Sequence, residues 1–236
     1  MAGLGFKDFA VGEVLTSADV DGYLMQQAVM VFADSGARGS ALGTATGTAV
    51  PLAEGMVSYL EDNNAVEVYD GASWRSVGGI VAVKSAVFTG TQTNSTASSG
   101  SFDITDLTIT HAVSSASNRV LLVGNVGQMA SNLNTVQCGI AFHDGTNFLG
   151  IGDAGGSRTL VGSGMINGSS SASNTGSFSV SFLHTPGSTS SITYTLRGIN
   201  ASTGTQTLSI NRSTGDTNSA FEMRAASTLT LMEVAA

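Results

Sequence analysis

The stretch Gly150-Ile151-Gly152-Asp153-Ala154-Gly155 has the glycine spacing of a dinucleotide-binding turn, and a strand-like Phe148-Leu149 precedes it. That chemistry needs a helix opening at the third glycine to aim its N-terminus at a pyrophosphate, and an acid about 20 residues later for the ribose. Ser157-Arg158-Thr159-Leu160-Val161-Gly162 has no helical character and no acid occurs between Asp153 and Asp216, so the match is chance spacing in a chain with 30 glycines. Cys138, His143 and Asp144 are the residue types that an activated thiol requires. Cys138, however, sits inside the apolar run Val136 to Phe142, where a small buried hydrophobe is its ordinary identity. His111, His143 and His184 each fall near a strand end, without the spacing of a metal site. Paired carboxylates for glycoside hydrolysis would have to come from Asp103, Asp106, Asp144, Asp153, Asp216, Glu222 and Glu233. Asp103 and Asp106 flank a change of strand parity and Asp144 and Asp153 lie in turns, so solvated turn residues are the simpler reading. These residues point to no catalytic group, no cofactor and no metal, and the protein is expected not to be an enzyme.

Asn94-Ser95-Thr96, Asn167-Gly168-Ser169, Asn200-Ala201-Ser202 and Asn211-Arg212-Ser213 match the glycosylation pattern. Met1 to Gly12 carries Lys7 and Asp8 but no apolar stretch of the kind a secretory leader needs, so the four matches read as products of composition.

The elements that position these residues follow from composition and period. The chain has 236 residues, of which 11% are charged, against roughly 25% in an average soluble domain. Its net charge of −8 disfavours a nucleic-acid partner, because phosphate binding needs a basic footprint. No run approaches the roughly 18 to 20 apolar residues of a membrane span, and the best, Tyr23 to Ala33, is broken by Gln26 and Gln27, so no membrane insertion is expected. With 42% hydrophobic residues and only 2 prolines the chain is expected to fold around its own core, without help from the single Cys138. The acids concentrate early: residues 1 to 85 hold ten acids against Lys7, Arg38, Arg75 and Lys84, while residues 86 to 236 hold seven acids against five arginines. Gly78-Gly79 is the natural hinge, which divides the chain into 1–79 and 80–236.

Thr16-Ser17-Ala18-Asp19 offers a capping hydroxyl and a first-turn acid, predicting a helix over about 17–33. Its apolar surface, including Val20, Leu24 and Val31, is wider than one stripe, and Gly36, Gly39 and Gly43 are expected to end it. Thr44 to Pro51 reads as a surface connection. A hairpin is predicted over about 55–70, with Met56 to Leu60 and Ala65 to Tyr69 joined by Asp62-Asn63-Asn64. Met56 and Leu60 point one way and Val57 and Tyr59 the other, so neither face is polar, and Trp74 anchors the turn that follows.

Beyond residue 80 the period is two. Phe178, Val180 and Phe182 alternate with serines, and Ile192, Tyr194 and Leu196 with Thr193, Thr195 and Arg197. Leu208 with Ile210, and Leu229 with Leu231, repeat the pattern. Val120-Leu121-Leu122-Val123 is a continuous apolar run suited to a strand covered on both faces. Phe102 and Ile104 change parity to Leu107 and Ile109, predicting a bulge near Thr105-Asp106. With Val81 to Phe88, Val136 to Phe142 and Phe148 to Ile151, about nine strands alternate with turns, the spacing of an antiparallel β-sandwich or jelly roll. Gly164 to Gly176 reads as a loop. The fold class is therefore mainly β, a C-terminal jelly roll preceded by a short helix and hairpin.

Gly5-Phe6-Lys7-Asp8-Phe9, the helical stretch around Tyr23-Leu24-Met25-Gln26-Gln27, and Gly55 to Asp62 through Val68 to Trp74 resemble the N-terminal attachment regions of tail-fibre and minor tail proteins of tailed bacteriophages. Tyr194 to Gly198, Leu208 to Arg212 and Ser227 to Val234 resemble the trimeric jelly-roll heads that end many phage fibres, similar in topology to the heads of tumour necrosis factor and C1q. The resemblance implies a homotrimer in the virion, made in the bacterial cytoplasm. Its N-terminus would be held by other virion proteins of tail, baseplate or capsid, and its β head would be exposed to a host surface glycan or protein. A helix and a hairpin apolar on more than one side are natural where three chains wrap an axis. Val20, Leu24, Val31, Met56, Tyr59, Leu60 and Trp74 are accordingly expected at the anchoring and trimer interface. A capsid decoration or head-fibre protein meets the same requirements. A polysaccharide depolymerase fits less well, because its long β-helix would show a sequence repeat that this chain lacks.

Overall fold

The computed structural model of the chain describes residues 10–14, 16–20, 28–42, 52–62, 64–132, 136–167, 175–220 and 222–235. The chain is mainly β and divides into two compact units, Met1–Gly79 and Ile80–Ala236. No helix among the described residues is long and apolar enough to cross a membrane.

In the first unit Thr16 caps α1 (Ser17–Asp19): its Oγ1 accepts from the Asp19 amide at 3.2 Å, and the Asp19 carboxylate accepts from the Thr16 amide at 3.1 Å. The cap is therefore in place, but the helix does not reach residue 33. Val29–Phe32 is a strand, β1, running parallel to β2 (Val57–Leu60). Valines at 29 and 31 and an aromatic ring at 32 suit a pleated surface better than a helix, and pairing with β2 decides the outcome. Gly36 and Gly39, expected to end a helix, instead lie within α2 (Ser35–Ala41), whose start is fixed by Asp34 Oδ1 accepting from the Ala37 amide at 2.7 Å. The hairpin of β2 and β3 (Ala65–Tyr69) turns through Asn64 at φ 52° and continues into β4 (Trp74–Ser76), giving the sheet order β1-β2-β3-β4. Gly5 to Phe9, Leu24 and Thr44 to Pro51 lie outside the described residues.

The second unit holds β5 (Ile80–Phe88), β6 (Gln92–Thr96), β7 (Ser101–His111), β8 (Arg119–Ser131), β9 (Val136–His143), β10 (Phe148–Leu149), β11 (Ser163–Asn167), β12 (Thr175–His184), β13 (Ile192–Asn200), β14 (Gln206–Ile210) and β15 (Ser227–Val234). One antiparallel sheet runs β5-β15-β8-β14-β6, with β12 on the other side of β8; the second runs β10-β9-β13-β7, with β11 also on β9. Their inner faces share one core, in which Leu122, Phe178, Leu229 and Leu231 of the first sheet meet Ile104, Leu107, Ile140, Phe142, Tyr194 and Leu196 of the second. The parity change in β7 is a bulge: Asp106 takes φ 62°, and the register with β13 shifts between Thr195 and Arg197. Gly164 and Gly176, expected in a loop, belong to β11 and β12. β6 and β11 escape a search for alternating hydrophobics because Gln92-Thr93-Asn94-Ser95-Thr96 contains none and in Ser163-Gly164-Met165-Ile166-Asn167 the two hydrophobics are adjacent.

Candidate functional site

The two units each present an open apolar sheet face, and these faces are the candidate assembly surfaces. In the first unit one face of the sheet is covered by α2. Arg38 reaches from α2 to donate to Ser58 Oγ at 2.9 Å, forms an ion pair with Glu67, and places its guanidinium 4.2 Å over the Trp74 ring. Registered on that covered face are Phe32 with Leu60, Met30 with Ser58 and Glu67, and Tyr69 with Trp74. Two residues expected at a chain interface, Met56 and Leu60, are thus buried within their own unit, and Trp74 is spent on Arg38 and Tyr69. This burial follows from α2, a helix that the glycines at 36 and 39 conceal in the sequence.

The opposite face carries Val29, Val57 and Val68 in one register row and Val31, Tyr59 and Val66 in the next. Val31 is 59% exposed and Tyr59 half-buried, with its hydroxyl donating to Asn64 Oδ1 at 2.8 Å. Of the expected interface set, the structure brings Val31 and Tyr59 side by side on this open face. Val20 is half-buried at the end of α1, and Leu24 is outside the described residues.

A larger open face lies on the outside of the sheet containing β8, where sequence reasoning placed no interface. Val83 of β5, Met232 of β15, Leu121 of β8 and Leu183 of β12 stand in one register row across four strands. Ser85, Thr230, Val123 and Ser181 form the next row, and Val87, Thr228, Asn125 and Ser179 the one after. Val83 is 58% exposed, Val87 53%, Leu183 44% and Val123 38%, while Leu121 and Met232 are half-buried. The β8 run that the sequence suits to cover on both faces is covered on one.

The outside of the second sheet has different chemistry. Thr108 faces Thr195 at 3.2 Å, Thr110 faces Thr193 at 2.9 Å, and Arg197 pairs with Asp103 at 2.5 Å. Hydroxyls and one ion pair line the β7 and β13 part of this face, and Ile166 of β11, registered with Gln137, is exposed on it.

The chemistry-bearing residues are occupied structurally. Cys138 is buried in β9, burial pushes its thiol up to about 12, and His143 lies five residues along the same strand, roughly 16 Å away at the usual rise and with opposite parity. Burial lowers the His143 and His184 imidazoles, and His184 Nδ1 lies 2.9 Å from the Tyr194 hydroxyl. Asp144 closes a turn by accepting from the amides of Thr146 and Asn147. Asp216 is held by Arg212 and Arg224. Glu233 departs from the expectation of a solvated carboxylate, being 1% exposed and fully ligated by neighbouring donors. Among the described residues there is no group of three or more His, Cys, Asp or Glu able to hold a metal ion. The glycine-spaced stretch from Gly150 to Gly155 is followed by no helix.

Two of the glycosylation-like asparagines are fully buried. Asn200 Nδ2 donates to the carbonyls of Thr96, Ala97 and Gly204, and Asn211 Nδ2 to those of Phe88 and Gly90. Both tie chain crossings together and have no amide free for a sugar. No protein-family model matches the sequence, and no curated protein matches it.

Proposed function

We propose that the chain is a structural, non-enzymatic component of a tailed-phage virion: a homotrimeric fibre protein whose residues 1–79 attach to the particle and whose residues 80–236 form an exposed jelly-roll head. The observation that carries the reading is β8. A strand apolar at four consecutive positions, Val120 to Val123, asks for cover on both faces, and its own chain supplies one. The open row Val83, Met232, Leu121 and Leu183 spans four strands, and contiguous apolar surface of that kind marks an interface. Identical copies present identical rows, so closure by symmetry satisfies all of them at once.

The jelly-roll reading is supported by strand allocation. β7, β9, β10, β11 and β13 lie in one sheet and β5, β6, β8, β12, β14 and β15 in the other, so the chain crosses between sheets at β6 to β7, β7 to β8, β8 to β9, β11 to β12, β12 to β13 and β13 to β14. The fibre reading is further supported by the resemblance of the N-terminal stretches to phage attachment regions and by the hydroxyl-rich outside of the second sheet, where Thr108, Thr110, Thr193 and Thr195 suit a surface that stays in solvent. The host-facing role of the β unit belongs to the same proposal.

Sedimentation of the full chain tests the assembly: three times the 23.8 kDa chain mass is expected, and a stable monomer would remove the proposal. Electron microscopy of particles labelled for this chain tests the place, with label on the tail expected and label on the capsid or no label opposing it.

A further inference from the structure

A groove of about 610 Å³ opens at one end of the β unit, where the β6–β7 turn, the β13–β14 turn, the β10–β11 loop and β11 converge. Its size falls within the range of small-ligand sites. We infer that this groove is a binding site for a saccharide bearing a carboxylate. The inference rests on the reading of the β unit as the host-facing part, and it specifies where and what that part would bind.

Three observations carry it. The walls are hydroxyls and amides, including Ser98, Ser99, Ser157, Thr159 and Thr203, groups that both donate and accept and so match the hydroxyls of a sugar ring. Ile166, 79% exposed, adds an aliphatic surface for the C–H face of such a ring. Among the described residues Arg158 is the one charged residue in the wall, in a chain whose net charge is −8, and none of the others lining it carries a carboxylate. Among the described residues its guanidinium donates through one Nη to the Gly155 carbonyl at 2.8 Å, leaving the rest of the fork for a bidentate carboxylate.

The groove is also held rigid from beneath. Asn200, fully buried, donates to Thr96 and Ala97 on one wall and to Gly204 on the other, and its Oδ1 accepts from the Ser202 amide at 2.9 Å and from Gln206. Gln206 in turn donates to the Gln137 carbonyl at 2.6 Å and accepts from Ser131 Oγ at 2.5 Å. Ser98 Oγ donates to the Ser202 carbonyl at 2.8 Å, and Ser99 Oγ lies 3.0 Å from Thr159 Oγ1. A site whose wall positions are locked by a buried amide network loses little freedom on binding, which is the condition under which shallow polar contacts yield affinity.

Calorimetric titration of the full chain with tetragalacturonate, hyaluronan tetrasaccharide and sialyllactose, against neutral maltotetraose, tests the site. Binding of at least one acidic probe, at least tenfold tighter than maltotetraose, is expected, with R158Q removing that preference and T203W, which fills the groove, removing binding altogether. Equal binding of acidic and neutral probes overturns the carboxylate assignment, and no binding of any probe, or binding unaffected by T203W, overturns the groove. Both variants are sedimented beside the wild type. Lost binding at the wild-type sedimentation coefficient is a result about the groove, whereas a chain that binds the acidic probe but sediments as a monomer overturns the fibre reading and leaves the groove standing.

Discussion

His111 Nε2 lies 2.7 Å from Glu233 Oε2 in the interior of the β unit, joining the end of β7 to the end of β15. The other carboxylate oxygen accepts from the Ser114 amide, the Ser114 hydroxyl and Asn118 Nδ2, each at 2.7 Å. Burial alone would raise this acid, but the donors from Asn118, Ser114 and His111 outweigh it and bring Glu233 from 4.5 to about 2. A charge that lies inside a two-sheet fold is thus tolerated because both of its oxygens face neighbouring donors.

The same ligation makes stability depend on pH. A carboxylate whose folded value lies below its unfolded one stabilises fully above pH 4.5 or so, and that contribution is lost as pH falls toward about 2. The shift corresponds to about 3 kcal/mol. Urea midpoints measured from pH 7 to pH 2 should fall steeply on the acid side in the wild type. E233Q should be less stable at pH 7 and should show a flatter acid limb; an unchanged limb would show that Glu233 is not the group responsible.

Asn211 adopts φ 59° and uses its amide to tie Phe88 and Gly90 to the start of the segment between β14 and β15, while its Oδ1 accepts from Ser227 Oγ at 2.6 Å. N211A takes the donor from the carbonyls of buried Phe88 and exposed Gly90, strands the buried Ser227 hydroxyl and keeps the left-handed strain, so a loss of roughly 2–4 kcal/mol is expected. N211G relieves the backbone but not the carbonyls and should recover a minority of that loss. Equilibrium denaturation of the three proteins gives the comparison.

Gly124 allows the two sheets to approach: a Cβ there would stand 2.8 Å from Phe142 and 3.0 Å from Leu196, side chains contributed by β9 and β13. G124A should overpack the core and cost roughly 1–3 kcal/mol, read as a lowered thermal midpoint. A neutral result would mean that the rings yield more easily than a close-packed core permits.

Arg38 and Glu67 carry the corresponding load in the first unit. Arg38 is buried and Glu67 partly so, and removing the guanidinium leaves that carboxylate uncompensated, at a cost below the roughly 3–5 kcal/mol of a fully buried pair. R38A should therefore make residues 1–79 sensitive to limited proteolysis while leaving the β unit resistant. Uniform sensitivity of both units would contradict their independence as compact bodies.

The open apolar row gives the sharpest substitution. L183D and V83D place a charge on exposed positions whose side chains fill no part of the intrachain core. Each should lower the sedimentation coefficient toward that of a monomer while the far-ultraviolet circular dichroism stays unchanged. An unchanged coefficient would move the interface elsewhere.

Local hydrophobic period already specifies part of this fold. Phe178, Val180 and Phe182 against serines, and Ile192, Tyr194 and Leu196 against threonines and arginine, specify strands because burial on one face requires period two, and the parity change at Asp106 specifies the bulge. Where the period is weak or the apolar residues are few, tertiary structure decided. Val29 to Phe32 is as apolar as a helix core would be, and only its pairing with β2 makes it a strand; α2 forms across two glycines because Asp34 caps it and Arg38 anchors it to Glu67 and Trp74. β6 and β11 are strands by hydrogen bonding to β14 and β9 rather than by hydrophobic content. The same division runs through the candidate surfaces. The sequence shows Leu121 and Val123 as apolar residues of one strand, but register alone, set by pairing over long separations, aligns Val83, Met232, Leu121 and Leu183 into one exposed row and gathers Arg158 with the β6–β7 and β13–β14 turns.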